Sequence, residues 1–449
     1  MTIDVAVSLV AAAVFAGLTF TPAIRRSESY AATLTPLASI MGSGFLISGP
    51  LLAGVAGNFS PLLMAGLLAL ALAIGSAIRF NIARESGGNA WEQTDAPDHD
   101  PERPDPSTEH RLHGGAADEA TARHAADGSR RAAIAESLRR VGHWVLAVAY
   151  VISVTYYTKL LAQFSLDRFG LAGGAASTAL TVGVLAAISI SGTTFGLKFI
   201  ERVERYAIHL NLAMIAALIF GLAWHDVAAF NAGTLSLPSL EIDDDWLHGL
   251  RVALGLLIVV QGFETSRYLG DRYAAAVRIR TMRAAQVVAA AVYLVFLTLL
   301  LPVMTPESAG GDAGVTAIVT LVGGVAAWLP AMVSVAAVGS QFSAAVADEA
   351  GCGGLIQQIT TRWGKLSLEA RTAYVPIGLA TVALALSVDV MQVIAIASRA
   401  FAVYYAIECV VAVLHTFDDD IPHRASRRYG YAALAVLAAT TAALGIPSG

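Results

Sequence analysis

Long apolar runs, separated by shorter polar segments, dominate the pattern of hydrophobic and polar positions along the chain. A bilayer core about 30 Å thick requires about 20 mostly apolar residues in each helix that crosses it. The pattern therefore predicts an all-α integral membrane protein with about twelve transmembrane helices. Their approximate spans are 4–20, 33–57, 60–83, 142–165, 171–195, 206–225, 248–270, 284–304, 327–348, 373–388, 389–415 and 428–446.

The first apolar run could be a cleaved signal peptide or a helix that stays in the protein. It has Asp4 near its start instead of a basic leader, no convincing cleavage site, and Arg25 and Arg26 on its far side. Signal peptides carry their positive charge before the apolar region, not after it. The run is therefore predicted to be an uncleaved helix with its N-terminus outside.

The distribution of Lys and Arg supports that orientation. The predicted cytoplasmic segments are 21–32, 84–141, 196–205, 271–283, 349–372 and 416–428. Of the 29 Lys and Arg residues, those that neither lie in these segments nor border them are Lys159, Arg168, Arg251 and Arg399. Such an excess of basic residues marks the cytoplasmic side. The predicted location is a bacterial-type inner (plasma) membrane, with both termini outside and an acidic outer loop that contains Glu241, Asp243, Asp244 and Asp245.

Composition agrees with a membrane protein and excludes several partners. Hydrophobic residues make up 56% of the 449 residues, charged residues make up 14%, and the mean hydropathy is +0.63. A soluble domain carries roughly 25% charged residues. No nucleic acid partner and no cofactor are predicted. The two cysteines, Cys352 and Cys409, have neither metal-ligand spacing nor a disulfide framework, and no metal site is predicted.

The segment 85–137 differs from the rest of the chain because it combines Pro, Gly and charge with few large apolar residues. Such a composition cannot bury enough surface to offset the entropy of ordering. We therefore expect a disordered cytoplasmic loop. Its histidines, at positions 99, 110, 113 and 124, match no metal-ligand spacing.

Two predicted helices contain interruptions at membrane depth. One has Gly42, Ser43 and Gly44 near its midpoint, and the other has the segment 261–265, which reads Gln-Gly-Phe-Glu-Thr. Irregular backbone at this depth survives only where it lines a cavity or is buried in protein, and broken helices build the central site of many transporters. The interrupted helices occupy corresponding positions in two five-helix halves, 33–225 and 248–415. That match, together with the intramembrane Glu264, favours a binding site over glycines that only permit close packing.

At these residues the chain resembles the amino acid, polyamine and organocation (APC) transporter superfamily. The likeness is carried by LASIMGSGFLISGP at 37–50 and by GFE at 262–264, followed by a basic segment. Two further stretches, GLKFIERVERYAIHLNL at 196–212 and GSQFSAAVADEAGCGGL at 339–355, are also similar. The extra N-terminal helix and the segment 266–283 are similar to sodium-solute symporters instead.

The resemblance implies the LeuT fold, in which two inverted repeats of five helices surround a central site. The chain then divides into an N-terminal helix with a linker (1–32), a first repeat (33–225), an outer loop (226–247), a second repeat (248–415) and a C-terminal helix (416–449). It also implies a secondary active transporter, not an enzyme, that moves a small organic solute, most simply an amino acid or related amine, by alternating access with ion coupling.

The substrate-binding residues that we predict from the breaks and the resemblance are Gly42, Ser43, Gly44, Phe45, Tyr156, Gln261, Gly262, Phe263, Glu264 and Thr265. Amide groups at a helix break, with the positive end of a helix dipole, suit a carboxylate. A zwitterionic amino acid is thus the favoured solute. Glu264 either pairs with the ammonium group of the solute or, as is more frequent in the resembling family, bonds to neighbouring helices.

The coupling ion is predicted to be a proton in preference to sodium. Sodium-coupled members of the resembling family hold the ion between carbonyls, here those of Ala38 and Met41, and two adjacent hydroxyl residues. The matching helix offers Ser340 and Ser343, which are three residues apart. Proton-coupled members use a lysine, and the matching stretch here offers His209 and Asn211. Histidine titrates near neutral pH, although His209 can equally form an ordinary hydrogen bond at its helix end.

Other classes of protein fit the sequence less well or remain open. A membrane enzyme would need a cluster of carboxylates or histidines, or a nucleophile with its base, and the spans show none. A channel would need a repeated carbonyl filter or a ring of acidic residues. A sodium-coupled symporter of another substrate class stays an alternative. So does a non-transporting sensor or receptor, because it would preserve the same helices.

Overall fold

A computed structural model describes residues 2–42, 44–86, 117–195, 197–240, 245–270, 272–310, 313–363, 369–418 and 423–446. In these residues the protein is all-helical and contains no strand. The helices are α1 Ile3–Phe20, α2 Pro22–Arg26, α3 Glu28–Gly42, α4 Phe45–Ala56, α5 Ser60–Glu85, α6 Ala117–Leu166, α7 Ala175–Phe195, α8 Leu197–Asn231, α9 Trp246–Gly255, α10 Ala275–Leu300, α11 Ala317–Gly323, α12 Leu329–Trp363, α13 Ala370–Ser387, α14 Val390–His415 and α15 Arg424–Leu444.

The helices confirm the predicted all-α membrane class. By length and composition, eight helices in the described part of the chain can cross a bilayer. The remaining predicted spans fall on the interrupted pair α3 and α4, on the interrupted α9, and on α13 and α15. The total of twelve crossings, the direction of insertion and the division into repeats stay predictions.

Packing places the interrupted helices at the centre of the bundle. α6 lies along α12, α14 lies along α6 and α15, and α10 packs against α3 and α5. The extra helix α1 packs on α8 at the periphery. One continuous apolar core joins these elements, and the parts of α3 and α4 that flank the first break, residues 36–42 and 45–53, are buried. Burial on all sides provides the protein partners that an interrupted backbone needs in a membrane.

The structure corrects the prediction for the segment 85–137. Its last part, 117–137, is helical and forms the beginning of the 50-residue helix α6. Glu85 is the last residue of α5 and pairs with side chains from other helices. The composition argument failed because Ala-rich polar sequence has high helix propensity and continues directly into an apolar span. Residues 87–116, including His99, His110 and His113, lie outside the described residues.

Candidate functional site

The first break separates α3, which ends at Gly42, from α4, which begins at Phe45. Ser43, between them, lies outside the described residues. A Cβ on Gly42 would lie 2.7 Å from the Ala344 Cβ of α12, and a Cβ on Gly44 would lie 2.5 Å from Val259. Both distances are too short for real side chains. The two glycines are thus required because the break packs directly on α12 and on the second interrupted helix.

The second break is wider than the sequence indicated. α9 ends at Gly255, a 3-10 turn covers Leu257–Val260, and a second 3-10 helix covers Phe263–Tyr268. Gly262, between the turns, has φ 115°, a left-handed value that favours glycine. A Cβ there would also lie 2.7 Å from the Ile40 amide nitrogen of α3. The breaks therefore contact each other, as the predicted central site requires.

Side chains from α10 and α14 satisfy the backbone groups that the breaks release. The Ser398 hydroxyl of α14 donates to the Gly255 carbonyl at 2.6 Å and accepts from the Ile258 amide at 3.0 Å. The Tyr293 hydroxyl of α10 lies 3.0 Å from the Ile40 carbonyl and 2.5 Å from the Val259 carbonyl. Tyr293 thus bridges both interrupted helices. Neither partner was identified from the sequence, because the contacts join residues far apart in the chain.

The polar residues predicted at the second break face its neighbours. Glu264 accepts hydrogen bonds from the Gly262 amide at 3.0 Å and from the Tyr405 hydroxyl of α14 at 2.8 Å. The Thr265 hydroxyl donates to the Gly262 carbonyl at 2.7 Å. Gln261 donates to the Tyr157 hydroxyl of α6 at 2.8 Å. Glu264 therefore ties its break to a neighbouring helix, one of the two roles considered for it.

Aromatic rings close the space around the breaks. Phe263 stacks on Tyr405 with ring centroids 5.2 Å apart, and Phe45 meets Tyr293 edge-on at 5.2 Å. Tyr156 is fully buried, with its ring centroid 5.1 Å from that of Tyr157. The described residues that are predicted to bind substrate at both breaks and on α6 thus lie among buried aromatic side chains.

The residues predicted to hold an ion are only partly brought together. The Ser340 carbonyl of α12 would lie 3.0 Å from a Cβ on Gly42, so this part of α12 faces the first break. Met41 and Ser343 are both buried, and Ala38 packs near Ile208 of α8. Ala344, which follows Ser343, has only a methyl group. The structure therefore offers no second adjacent hydroxyl at this face of α12.

His209 lies away from the breaks. Its Nδ1 is 3.2 Å from the Thr19 hydroxyl of α1, and its ring is 6.1 Å from that of Tyr30, near the start of α3. Asn211 is buried on the same helix, α8. These contacts with the extra N-terminal helix match the ordinary hydrogen-bonding role considered for His209 from the sequence.

Sequence reasoning missed a buried carboxyl group on α12. Asp348 is fully buried and accepts a short hydrogen bond from the Ser153 hydroxyl of α6. It also faces Ser39 of α3 and Glu264. We call these four residues, with Tyr150 and Tyr157 of α6, the central cluster. The predicted span ended at Asp348, so the residue was treated as a helix boundary. Its spacing of four from Ala344 and eight from Ser340 is the signal that places all three on one helix face.

A second set of charged and polar residues, the paired cluster, lies at the predicted cytoplasmic end, with Arg267 and Glu408 buried and Glu85 partly exposed. Arg267 makes a short ion pair with Glu408 of α14 and a 2.5 Å ion pair with Glu85. Asn81 of α5 donates to Glu408 at 2.8 Å, and Arg139 of α6 reaches Glu85 at 3.2 Å. Glu408 thus has the partner that an intramembrane charge needs. Arg399, the other charge on α14, donates to the Gly445 carbonyl at 2.7 Å.

Metal chemistry finds no support in the described residues. They contain no group of three or more His, Cys, Asp or Glu side chains arranged to hold a metal ion. Cys352 and Cys409 are both free and buried. The polar atoms at the centre are instead hydroxyl, carboxyl and backbone groups, which suit a small polar solute or a monovalent cation.

Comparisons with known proteins agree with this geometry. A family model described as an APC superfamily transporter matches residues 22–101 and 114–445. A protein of Aquifex aeolicus (strain VF5), described as uncharacterized, is 34% identical over 398 residues, which cover 88% of this chain and 86% of that protein.

Two solved structures were compared with this one, and both have low sequence identity; the first, with a TM-score above 0.5, shows the same fold. The crystal structure of MhsT in complex with L-phenylalanine has a TM-score of 0.52 and 12% identity, and the match covers 93% of this chain and 99% of that chain. A sodium-coupled sialic acid symporter in a substrate-bound outward-open state has a TM-score of 0.45 and 12% identity, with 100% of this chain and 99% of that chain covered.

Proposed function

The chain belongs to the APC superfamily of transporters, and from this premise we propose that it carries a small zwitterionic amino acid across the membrane by alternating access, coupled to protons. The family and the fold are those of transporters, which are not enzymes. In the described part of the chain, eight helices are long and apolar enough to cross a membrane, which agrees with this class. The solute and the coupling ion are proposals that rest on the geometry of the two breaks.

The observation that carries the proposal is the meeting of opposite helix ends at the first break. α3 ends at Gly42 and α4 begins at Phe45, so the last carbonyl groups of one helix and the first amide groups of the other, which have no partner within their own helix, meet at the same break. The amide end carries partial positive charge and the carbonyl end partial negative charge. A carboxylate suits the first and an ammonium group suits the second, so one zwitterion satisfies both.

The surrounding residues support an amino acid with an apolar side chain. Phe45, Tyr156 and Phe263 provide buried aromatic surface beside the breaks. Because Gly44 packs against Val259, the two breaks must separate before a solute can enter. In the proposed cycle we therefore assign the arrangement with Gly44 against Val259 to the closed state. L-Phenylalanine belongs among the first solutes to test, since MhsT was solved with it.

Protons are the proposed driving ion because α12 lacks part of the oxygen set that sodium would use. Ser343 presents a buried hydroxyl, whereas the neighbouring Ala344 presents a methyl group towards Gly42. Small cations need several oxygen ligands to replace their hydration. Sodium coupling is the competing hypothesis, and it predicts solute accumulation at constant pH.

The direct test is counterflow in proteoliposomes, which requires no ion gradient. Vesicles preloaded with one unlabelled amino acid should take up the same labelled amino acid transiently, and empty vesicles should not. Gly44→Ala should reduce this exchange at least tenfold, because a Cβ there meets Val259. Gly66→Ala is the matched control, since a Cβ on Gly66 of α5 meets no atom within 4 Å; a tenfold change is about 1.4 kcal/mol.

Two results would contradict the proposal. One is the absence of counterflow for every amino acid in folded wild-type protein. The other is a Gly44→Ala variant that exchanges solute as fast as Gly66→Ala, which would move the site away from the breaks. A ligand-induced rise in thermal stability without counterflow would identify a sensor or receptor on the same fold.

A further inference from the structure

Asp348 lies on the face of α12 that packs against the first break. Ala344 and Ser340, four and eight residues before it, lie against Gly42. Residues four apart lie above one another on a helix. Asp348 therefore continues the same face by one further turn and reaches Ser39, which lies three residues before Gly42 on α3.

Several oxygen atoms of the central cluster have no hydrogen-bond partner among the described residues. They are Oδ1 of Asp348, Oε1 of Glu264 and the hydroxyl oxygen of Tyr150. Each of these side chains is fully buried. A buried polar atom without a partner costs free energy. Because these oxygen atoms lie in one cluster, we expect a proton or a cation to bind to them in part of the functional cycle.

The charges around Asp348 have one sign. The titratable groups that face it are Glu264 from the second break, Tyr150 and Tyr157 from α6, and Cys352 from α12 itself. None of these described neighbours is basic. Two facing carboxyl groups in an apolar interior cannot both stay ionised without a large cost. Binding of a single proton removes the repulsion.

We propose that Asp348 is the protonation site that couples the proton gradient to solute movement, an inference that rests on the transport function proposed above. The carboxylate gains one proton from water on the outer side and returns it to water on the inner side, so only an O–H bond forms and breaks. The site lies between α6 and α12 on one side and the two interrupted helices on the other.

This position explains how a proton can control the breaks. In the protonated form Asp348 can donate to the Ser39 hydroxyl or to Glu264, which holds the interrupted helices against α12. In the ionised form it repels Glu264, and that repulsion favours separation of the breaks from α12. Protonation and closure around the solute are therefore linked, because each favours the other.

Glu349 provides a matched control within the same helix. It is also buried, but its side chain accepts a 2.7 Å hydrogen bond from Ser189 of α7 and faces away from the breaks. Asp348→Asn and Glu349→Gln each remove one buried carboxyl charge with little change of shape. The first change alters the central cluster, and the second leaves it intact.

The experiment compares counterflow with gradient-driven accumulation in sodium-free proteoliposomes that contain the full-length protein. A pH difference of about one unit, alkaline inside, can drive at most about tenfold accumulation for one proton per solute. Wild type and Glu349→Gln should accumulate labelled amino acid towards this limit. Asp348→Asn should retain counterflow within about twofold and show no accumulation above equilibrium.

The outcomes separate failure of the inference from failure of the transport function. Without counterflow in wild type, the transport function fails. Where Asp348→Asn keeps counterflow and still accumulates solute with the pH gradient, the inference is overturned. Accumulation by wild type with a sodium gradient at constant pH would also overturn the proton assignment. If Asp348→Asn does not fold, Asp348→Glu replaces it. This variant keeps a carboxyl group, so it must keep proton-driven accumulation. A Glu349→Gln variant that loses accumulation but keeps counterflow would overturn the inference.

Discussion

The paired cluster and the central cluster both contain buried carboxyl groups, yet their charges are arranged differently. Glu408 accepts hydrogen bonds from Arg267 and Asn81, and Arg267 also pairs with Glu85. Asp348 and Glu264 receive hydrogen bonds only from neutral groups and each keeps one oxygen without a described partner. The first arrangement holds α5, α14 and the second break together in fixed ionisation states. The second can accept a proton without losing an ion pair.

The comparison indicates a division of roles between the two ends of the second break. The 3-10 helix Phe263–Tyr268 is held near its end by the ion pairs of Arg267. Near its beginning, Glu264 faces the carboxyl group of Asp348. An ion pair that is buried in protein contributes specificity and resists rupture, whereas an unpaired carboxyl responds to pH. The predictions below test this division with matched substitutions.

The largest expected effect is on stability and belongs to the paired cluster. Arg267→Gln leaves Glu408 buried without its cation, and breaking a buried ion pair in this way costs about 3–5 kcal/mol. Chemical or thermal unfolding of the purified protein in detergent measures this loss. The double variant Arg267→Gln with Glu408→Gln should recover part of it, because no uncompensated charge remains. A single variant as stable as wild type would contradict the role of the pair.

Asp348→Asn should change stability much less, and with the opposite sign. The substitution removes a carboxyl group that faces Glu264 without a basic partner, so the folded protein should be equally stable or more stable by up to about 1 kcal/mol. The same unfolding measurement, at a pH where wild type is fully active, gives the comparison with Arg267→Gln. A loss as large as that of Arg267→Gln would show that Asp348 belongs to a structural ion pair.

The serine hydroxyl groups that donate to Asp348 and to Glu349 give a finer test of the proposed protonation of Asp348. The Ser153 hydroxyl donates to Asp348 and stabilises its ionised form, so Ser153→Ala should let the protonated form persist to higher pH. The midpoint of the pH dependence of transport should rise by about one unit, since one unit corresponds to about 1.4 kcal/mol. Ser189→Ala, which removes the equivalent donor to Glu349, should leave the midpoint unchanged. Equal shifts in both variants would assign the pH dependence elsewhere.

The smallest effect is expected at an exposed ion pair near the paired cluster. Arg84 and Asp418 lie 2.8 Å apart, and the Asp418 side chain is 40% exposed. Exposed pairs contribute about 0–1 kcal/mol. Arg84→Gln should therefore leave unfolding within this range of wild type and accumulation unchanged. An effect as large as that of Arg267→Gln would mean that burial does not distinguish the two sets of charges.

Much of the fold was predictable because it follows from local sequence. Apolar length identified the spans, and the glycines at 42, 44 and 262 identified both breaks. These glycines carry a local signal: each is needed where a backbone approaches another element closely. The helical segment 117–137 was not predicted, because composition alone does not show whether a polar Ala-rich sequence continues an adjacent helix.

The candidate site was predictable only in part. Gly42, Gln261 and Glu264 could be identified because a glycine, a polar residue and a charged residue stand out within long apolar segments. Asp348 could not, since it stood at the predicted end of a span, where charged residues are common, and its partner Ser153 lies 195 positions earlier. The hydrogen bond between His209 and Thr19 was likewise hidden, because it depends on how the extra helix α1 packs on α8.

The most direct test of the account measures solute binding and proton uptake together. Calorimetric titration of the purified protein with a bound amino acid, in two buffers of equal pH and different ionisation heats, reports the protons taken up on binding. The account predicts a buffer-dependent heat for wild type and Arg84→Gln, at a pH where Asp348 is largely ionised before binding, and a buffer-independent heat for Asp348→Asn. A wild-type heat that is identical in both buffers across the pH range, or a buffer dependence that survives in Asp348→Asn, would contradict it.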